Sequence, residues 1–323
     1  MSATLMGKLS SIGVVAGLAA SMAVLSCSPA RAEWKPDKRI TMYVGYQAGG
    51  GADTLARLVA EAISRKNGWQ IIVENKTGAG GGIMLTQLSK SDPDGYSVGV
   101  AVTGSITTAP LFVKSLKYKP QDFTFIGTIA KTQMAMIAKH DAPYDTLEEF
   151  AEFARKKGNA SVAIMGPEIG LIARLIAKHY KIDLSIVPTK GGAETFTQTV
   201  GGHIDAAFNA GAHHPMVQER KLKVIANLND TPLVLTPKSR SLKQSGIDYA
   251  TNLYFQIQGP PGLPAEILKA WADALDDAVK SERVIEMAGK RMLMEVVNLG
   301  PVKLTKLVND DVEASLKLIE LAR

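Results

Sequence analysis

The chain has 323 residues, 46% of them hydrophobic and 21% charged, the balance of a globular protein rather than a disordered one. That length supports one large domain or two medium ones, each with a proper core. The net charge of +6 is mild, and Lys and Arg are scattered rather than clustered with aromatics, which argues against a nucleic-acid partner.

The N-terminus comes first. Lys8, the apolar run Ile12 to Leu25 and the tripeptide Ala30-Arg31-Ala32 predict a secretory signal peptide over residues 1–32, cut before Glu33. The run is too short for a membrane span, which needs about 20 apolar residues. An alternative takes Val24-Leu25-Ser26-Cys27 as a lipoprotein box with Cys27 acylated; the Ala-Arg-Ala site fits soluble export better. Cleavage removes Lys8 and Arg31 and no acidic residue, so the charge falls from +6 to +4 over 291 residues. It also removes the single cysteine, Cys27, and with it disulfides, thiolate catalysis and Cys-based metal sites in the mature chain.

Further along, short apolar runs alternate with helical periodicity. Strands are expected at Ile40–Val44, Gln70–Val73 and Ser97–Ala101, with Leu55, Leu58, Val59, Ala62 and Ile63 on one face of an intervening helix. Asp92-Pro93-Asp94-Gly95 marks a turn before the third strand. Two β-prone runs with no helix between them follow, Phe123–Ile129 and Gln133–Ala138. Thr146 and Glu149 then open a helix with capping-box chemistry. A second series holds strands at Ser161–Met165, Leu184–Val187, Ile204–Phe208 and Val224–Ala226, with helices over Leu171–Tyr180 and Thr195–Val200. The β-prone stretch Tyr249–Gln258 returns the chain, and helices start at Pro264 and Pro301. The pattern predicts an α/β protein of two lobes with mostly parallel sheets, joined by hinge strands: residues 33–132 plus 255–323, and residues 133–254. Ligands of such sheets lie at the carboxyl ends of the strands, here a cleft between the lobes.

Glycine loops follow four of the strands: Gly49-Gly50-Gly51, Gly78-Ala79-Gly80-Gly81-Gly82, Gly166-Pro167-Glu168-Ile169-Gly170 and Lys190-Gly191-Gly192-Ala193-Glu194. A glycine loop entering a helix offers unpaired N–H groups and the positive end of the helix dipole, a site for a carboxylate or phosphate. Lys190 can add a positive charge. Nucleotide binding is disfavoured: there is no P-loop, and the dinucleotide register begun by Gly78 and Gly80 fails at Ile83, although Glu74 lies where a ribose-binding acid would. Hydrolysis lacks its machinery, since Thr103-Gly104-Ser105-Ile106-Thr107 is not a nucleophile elbow. Neither metalloprotease His spacing occurs, and His213-His214 are expected on a surface loop, so no metal or cofactor is expected. Asp205 follows a glycine turn, where it either caps the turn or contacts ligand.

Taken together, Gly45-Tyr46-Gln47-Ala48-Gly49-Gly50-Gly51-Ala52-Asp53, Val73-Glu74-Asn75-Lys76-Thr77-Gly78-Ala79-Gly80-Gly81, Pro93-Asp94-Gly95-Tyr96, Lys190-Gly191-Gly192 and Val200-Gly201-Gly202-His203-Ile204-Asp205 resemble the Bug-type periplasmic solute receptors of tripartite tricarboxylate transporters. The resemblance spans essentially the whole mature chain. It implies a two-lobed periplasmic-binding-protein (Venus flytrap) fold, a periplasmic location, a membrane permease as partner, a monomer, and no catalysis. It also implies that backbone amides of two loops grip a small organic carboxylate. Carried over, the ligand-binding positions are Tyr46, Ala48, Gly49, Gly50, Gly51 and Asp53 on one lobe. On the other they are Lys190, Gly191, Gly192, Ala193 and Glu194, with Thr103 and Ser105 ending the third strand in the same cleft.

The chain departs from the family pattern at Gly45, where proline is common, at Thr189, where an aromatic is common, and at Pro167, Glu168 and Ile169, where small hydroxyl residues are common. Gly166 and Glu168 are carried as site residues on the glycine-loop reading. Glu168 either caps the following helix, the favoured reading, or meets a donor or cationic group at the ligand's far end. Two other functions stay open from the residues: an exported α/β enzyme acting on a carboxylate, and a sensory protein that presents its closed form to a receptor kinase.

Overall fold

Ile40, Met42 and Val44 alternate into the interior as strand β1 (Ile40–Val44), and the glycines that follow release the chain into helix α1 (Gly51–Asn67). Helix α1 buries Leu55, Leu58, Val59 and Ile63 along one stripe, each worth roughly 1.5–3 kcal/mol of burial. It ends where Gly68 takes a left-handed conformation (φ 74°). Then come β2 (Ile71–Asn75), α2 (Gly82–Leu88), β3 (Ser97–Val102), the short helices α3 (Thr103–Thr107) and α4 (Ala109–Phe112), and β4 (Thr124–Lys131). This computed structural model describes residues 34–322, and residues 35–323 form one compact unit. The expected signal peptide and the alternative at Cys27 lie outside the described residues.

The chain crosses to a second sheet after β4. That sheet holds β5 (Ala135–Lys139), β6 (Ala160–Ile164), β7 (Leu184–Pro188), β8 (Ala206–Asn209) and β9 (Leu222–Asn227) in the order β7-β6-β8-β5-β9. Helices α5 (Leu147–Lys157), α6 (Pro167–Tyr180), α7 (Gly192–Val200) and α8 (His214–Gln218) connect its strands. Strand β10 (Tyr254–Gly259) carries the chain back, followed by α9 (Ala265–Val279), α10 (Glu282–Val284), β11 (Glu295–Val296) and α11 (Gly300–Ala322). The first sheet runs β11-β4-β10-β3-β1-β2. Each sheet has its own core: Met84, Leu85, Ile106 and Phe125 meet Leu304 and Val308 in one, and Ile137, Ala163, Leu222 and Leu233 meet in the other.

Two expectations change. The sheets are mixed rather than mostly parallel. Strands β1–β2, β1–β3, β6–β7 and β6–β8 pair parallel, while β3–β10, β4–β10, β4–β11, β5–β8 and β5–β9 pair antiparallel. The cause is connectivity. Only the strand–helix–strand segments have the crossovers that parallel pairing requires, whereas β4 leaves the first sheet and β10 re-enters it alongside, in the opposite sense. Second, Thr103 and Ser105 begin α3 instead of ending β3. The helix at Thr146 starts as expected, with Thr146 Oγ1 accepting the Glu149 N–H at 3.2 Å. The Glu149 carboxylate, however, reaches the N–H of Asp145 at 2.6 Å, one residue before the cap.

Helix α11 packs on β4 and α3 and also on α6, so it touches helices associated with both sheets. Helix α9 anchors the first sheet through Trp271, which is fully buried, donates from Nε1 to Gly95 O at 3.0 Å and meets Trp69 edge-on at 5.0 Å.

Candidate functional site

The loops that follow β1 and β7 touch over a cavity of about 60 Å³. Three helices begin at its wall, and each has a glycine N-cap with no side-chain cap: Gly50 before α1, Gly166 before α6 and Gly191 before α7. A helix start leaves its first N–H groups without intrahelical partners. Serine, threonine or aspartate usually satisfies them; here no side chain does. Three dipole ends therefore point toward one small space, each worth roughly 0.3–1 kcal/mol to an anion at the surface and up to about 2 in partly buried geometry. A Cβ built on Gly50 would sit 3.4 Å from the backbone N of Gly192, so the first turns of α1 and α7 face each other closely.

The two loops are constructed alike. Gly49 N–H donates to Asp53 Oδ2 at 3.0 Å, and Lys190 N–H donates to Glu194 Oε2 at 2.8 Å, each to a carboxylate four residues on. Asp53 is further held by Arg57 (Nε at 3.1 Å) and by Asn75 (Nδ2 at 2.8 Å). Burial opposes its ionisation, but the bonds from Arg57, the Gly49 N–H and Asn75 outweigh that and hold it below the ordinary carboxylate range. Asn75 Nδ2 also donates to Tyr46 O at 2.9 Å, which fixes the loop from below. Across the gap, Gln47 N–H donates to Lys190 O at 2.9 Å. Gly191 must be glycine at this contact. Its φ is 149°, and a Cβ there would lie 3.1 Å from the Gln47 nitrogen.

The wall is otherwise largely apolar: Met134, Met165, Ile169, Leu253 and Phe255 line it. Tyr46 spans it, its hydroxyl 2.7 Å from Ser105 Oγ and donating to Gly80 O at 3.1 Å. Enclosure pushes the Tyr46 phenol up to about 12. Asn209 is buried on the wall, with Nδ2 3.4 Å from Thr195 Oγ1 and Oδ1 without a partner. Glu168, in the first turn of α6, is 8% exposed. The Tyr249 hydroxyl donates to its Oε1 at 3.4 Å. Burial and the nearby Asp311 raise the Glu168 carboxyl to about 8. No lysine, arginine or histidine is among the described residues lining the cavity.

Of the residues singled out from sequence, Tyr46, Gly50, Gly51, Ser105, Gly166, Glu168 and Gly192 lie on this wall. The others lie elsewhere, each for an identifiable reason. The Asp53 and Glu194 carboxylates are used within their own loops. Ala48 and Gly49 are exposed, and Ala193 faces Gly49 across the gap. Gly191 serves the loop contact, while Lys190 contributes its backbone there and leaves its side chain in solvent. Thr103 is fully buried and ties α3 to β10, accepting from Tyr254 N–H at 3.2 Å and donating to Gln256 Oε1 at 3.2 Å. Asp205 accepts from Lys157 Nζ and Ser161 N–H, both at 2.7 Å, and so pins the start of β6; it is not among the residues lining the cavity. Glu168 does not cap its helix. His213 and His214 are fully buried and not on the surface: their rings stack edge-on at 4.4 Å and His214 Nδ1 lies 2.6 Å from Met292 O.

Sequence reasoning missed Asn209, Met134, Leu253 and Phe255. Asn209 had a usable signal, since it ends a strand just before Gly211 in the same strand-to-glycine arrangement as the other loops. Met134, Leu253 and Phe255 lie on the two crossing segments, where an apolar residue looks like core from sequence.

Residues 55–322 match the family described as Tripartite tricarboxylate transporter family receptor. Among curated relatives, the UPF0065 protein of the TAR-I ttuE-ttuC' intergenic region of Agrobacterium vitis is 29% identical over 257 residues, 78% of this chain and 74% of its own length. The solved periplasmic binding protein BugD superposes with a TM-score of 0.82 at 26% identity, covering 89% of this chain and 98% of BugD. MatC from Rhodopseudomonas palustris, solved with bound malate, has the same fold, with a TM-score of 0.81 at 22% identity over 88% of this chain and all of MatC. These likenesses are to binding proteins rather than enzymes. The chain belongs to the tripartite tricarboxylate transporter receptor family, as a Bug-type solute-binding receptor with a two-lobed periplasmic-binding-protein fold.

Proposed function

We propose that this receptor works in the periplasm as a monomer. It captures a small organic carboxylate between residues 33–132 plus 255–323 and residues 133–254, and delivers it to the permease of a tripartite tricarboxylate transporter. The observation that carries the reading is the convergence of three glycine-capped helix starts, at Gly50, Gly166 and Gly191, on one cavity. Donors of this kind hold a carboxylate without a cationic side chain, and none lines the cavity among the described residues.

Binding without turnover also fits the wall chemistry. Ser105 is the serine there, and its hydroxyl partner is Tyr46, whose phenol at about 12 is no base at neutral pH. Closure of the lobes then commits the ligand by shifting the population toward the form in which the Gln47–Lys190 bond is made. Membership of the transporter receptor family supports the permease as recipient.

Thermal-shift screening of the mature protein against mono-, di- and tricarboxylates, aromatic acids and amino acids tests the reading, with malate included because MatC holds it. A carboxylate that raises Tm dose-dependently supports it, and a flat response across all classes contradicts it. Export is tested by N-terminal sequencing of the secreted protein, which is expected to begin at Glu33.

A further inference from the structure

Glu168 is the feature that a plain carboxylate receptor does not explain. It is buried on the cavity wall, and none of the described residues lining that wall is a cation. Its single hydrogen bond among the described residues is the long one from Tyr249 to Oε1; Oε2 has no such partner there. Gly104 makes room for the carboxyl, since a Cβ there would collide with Oε2. The titratable groups around it are all acidic: Asp311 on α11, held by Thr107 Oγ1 at 2.6 Å, Tyr249 ahead of β10, and Tyr46 in the loop after β1. Asn209 also lines the wall, and its Oδ1 is a second buried acceptor without a donor among the described residues. The cavity therefore offers N–H donors from the helix starts and, separately, oxygen acceptors that lack a donor.

We propose that the ligand is a small zwitterion, a carboxylate that also carries a protonated amine, with Glu168 and Asn209 Oδ1 accepting from the ammonium. The proposal rests on the carboxylate-receptor reading and narrows it. A second carboxylate would meet Glu168 with Asp311 behind it and no compensating charge, so dicarboxylates are rejected.

A consequence in protons follows. Buried Glu168 is neutralised either by a proton, which it holds at pH 7 with its carboxyl raised to about 8, or by an ammonium. An acid without an amine therefore leaves that proton in place, and the zwitterion displaces it.

The test is calorimetric titration of the mature protein at pH 7 with glycine, alanine, β-alanine and 4-aminobutyrate. Acetate, propionate, butyrate, malonate and succinate are run beside them, in buffers of different ionisation enthalpy. At least one amino acid is expected to bind tenfold or more tighter than the unsubstituted acid of the same chain length, with the dicarboxylates no better than that acid. Any unsubstituted acid that binds is expected to leave the proton count nearly unchanged, while the amino acid releases close to one proton. In Glu168→Gln the preference for the amine is expected to vanish. The proton count is read on the unaltered protein, so it stands even where the variant does not fold. A dicarboxylate that binds more tightly than every amino acid overturns the proposal and leaves the carboxylate reading intact, as does a preference that survives Glu168→Gln. Binding of none of these acids, together with a flat response in the wider carboxylate screen, overturns both.

Discussion

The backbone N–H of Gln47 donates to the carbonyl of Lys190 at 2.9 Å, joining the glycine loop after β1 to the glycine loop after β7. Both loops are braced by a carboxylate four residues on, Asp53 for Gly49 and Glu194 for Lys190. The contact between rigid loops leaves no slack for added atoms. Gly50 has φ −83°, which any residue adopts, yet its Cβ position is 3.4 Å from Gly192 N. Gly50→Val is therefore expected to fold with an unchanged circular dichroism spectrum but to close poorly. Overpacking of about 2 kcal/mol corresponds to roughly 30-fold weaker ligand binding by calorimetry.

Asp53 braces its own loop. Asp53→Ala strands the Gly49 N–H and removes the partner of Arg57 and Asn75, and we expect a loss of about 2–3 kcal/mol in urea unfolding. Because the native carboxyl is held below its ordinary value, its contribution is present above about pH 3.9 and fades as the pH falls through the native value. The gap in Tm between wild type and Asp53→Ala is thus expected to narrow below pH 4.

Glu168 acts with the opposite sign. Burial first, then Asp311, raise its carboxyl to about 8, against about 4.3 in an unfolded chain. The native state therefore holds a proton that the unfolded state has lost, and the stability this gives is fully present below about pH 4.3, falls as pH rises and is gone by about 8. Thermal melts of the ligand-free protein from pH 5 to 8.5 are expected to show a decline in Tm that is visibly shallower in Glu168→Gln.

Trp271→Phe separates stability from binding. The substitution leaves Gly95 O without its donor and opens space against Trp69, on a helix remote from the cavity wall. A loss of about 1–3 kcal/mol in urea unfolding is expected, with ligand affinity unchanged within twofold.

Much of the architecture was legible because periodicity and glycine punctuation report local structure directly. Ile40–Val44 alternates as a half-buried strand does, and Thr146 announced its helix through a short-range cap. Strand direction was not legible, because the antiparallel placement of β10 beside β3 is set by a return from the other sheet more than 100 residues away in sequence. The glycine loops lead to the cavity wall, but several of the polar side chains beside them do not line it. Asp53, Glu194 and Thr103 look like ligand-binding polar groups in a list of residues, yet each is engaged by nearby backbone once the loops close. Gly45 seemed a departure from pattern, and the structure supplies its reason: a Cβ there would lie 2.6 Å from Gly81 Cα, so the first two glycine loops pack backbone on backbone. Burial of His213 and His214 was hidden for the same reason as the sheet order, since Met292, whose carbonyl lies against His214 Nδ1, comes from the C-terminal part of the chain.

The central claim is that helix N-termini at Gly50, Gly166 and Gly191 hold a ligand's carboxylate. Calorimetric titration with the tightest-binding acid of the thermal-shift screen, beside its methyl ester, tests this most directly, because the ester keeps the shape and removes the negative charge. The account predicts that the acid binds and that the ester binds at least 100-fold more weakly; an ester that binds as tightly as the acid would contradict it.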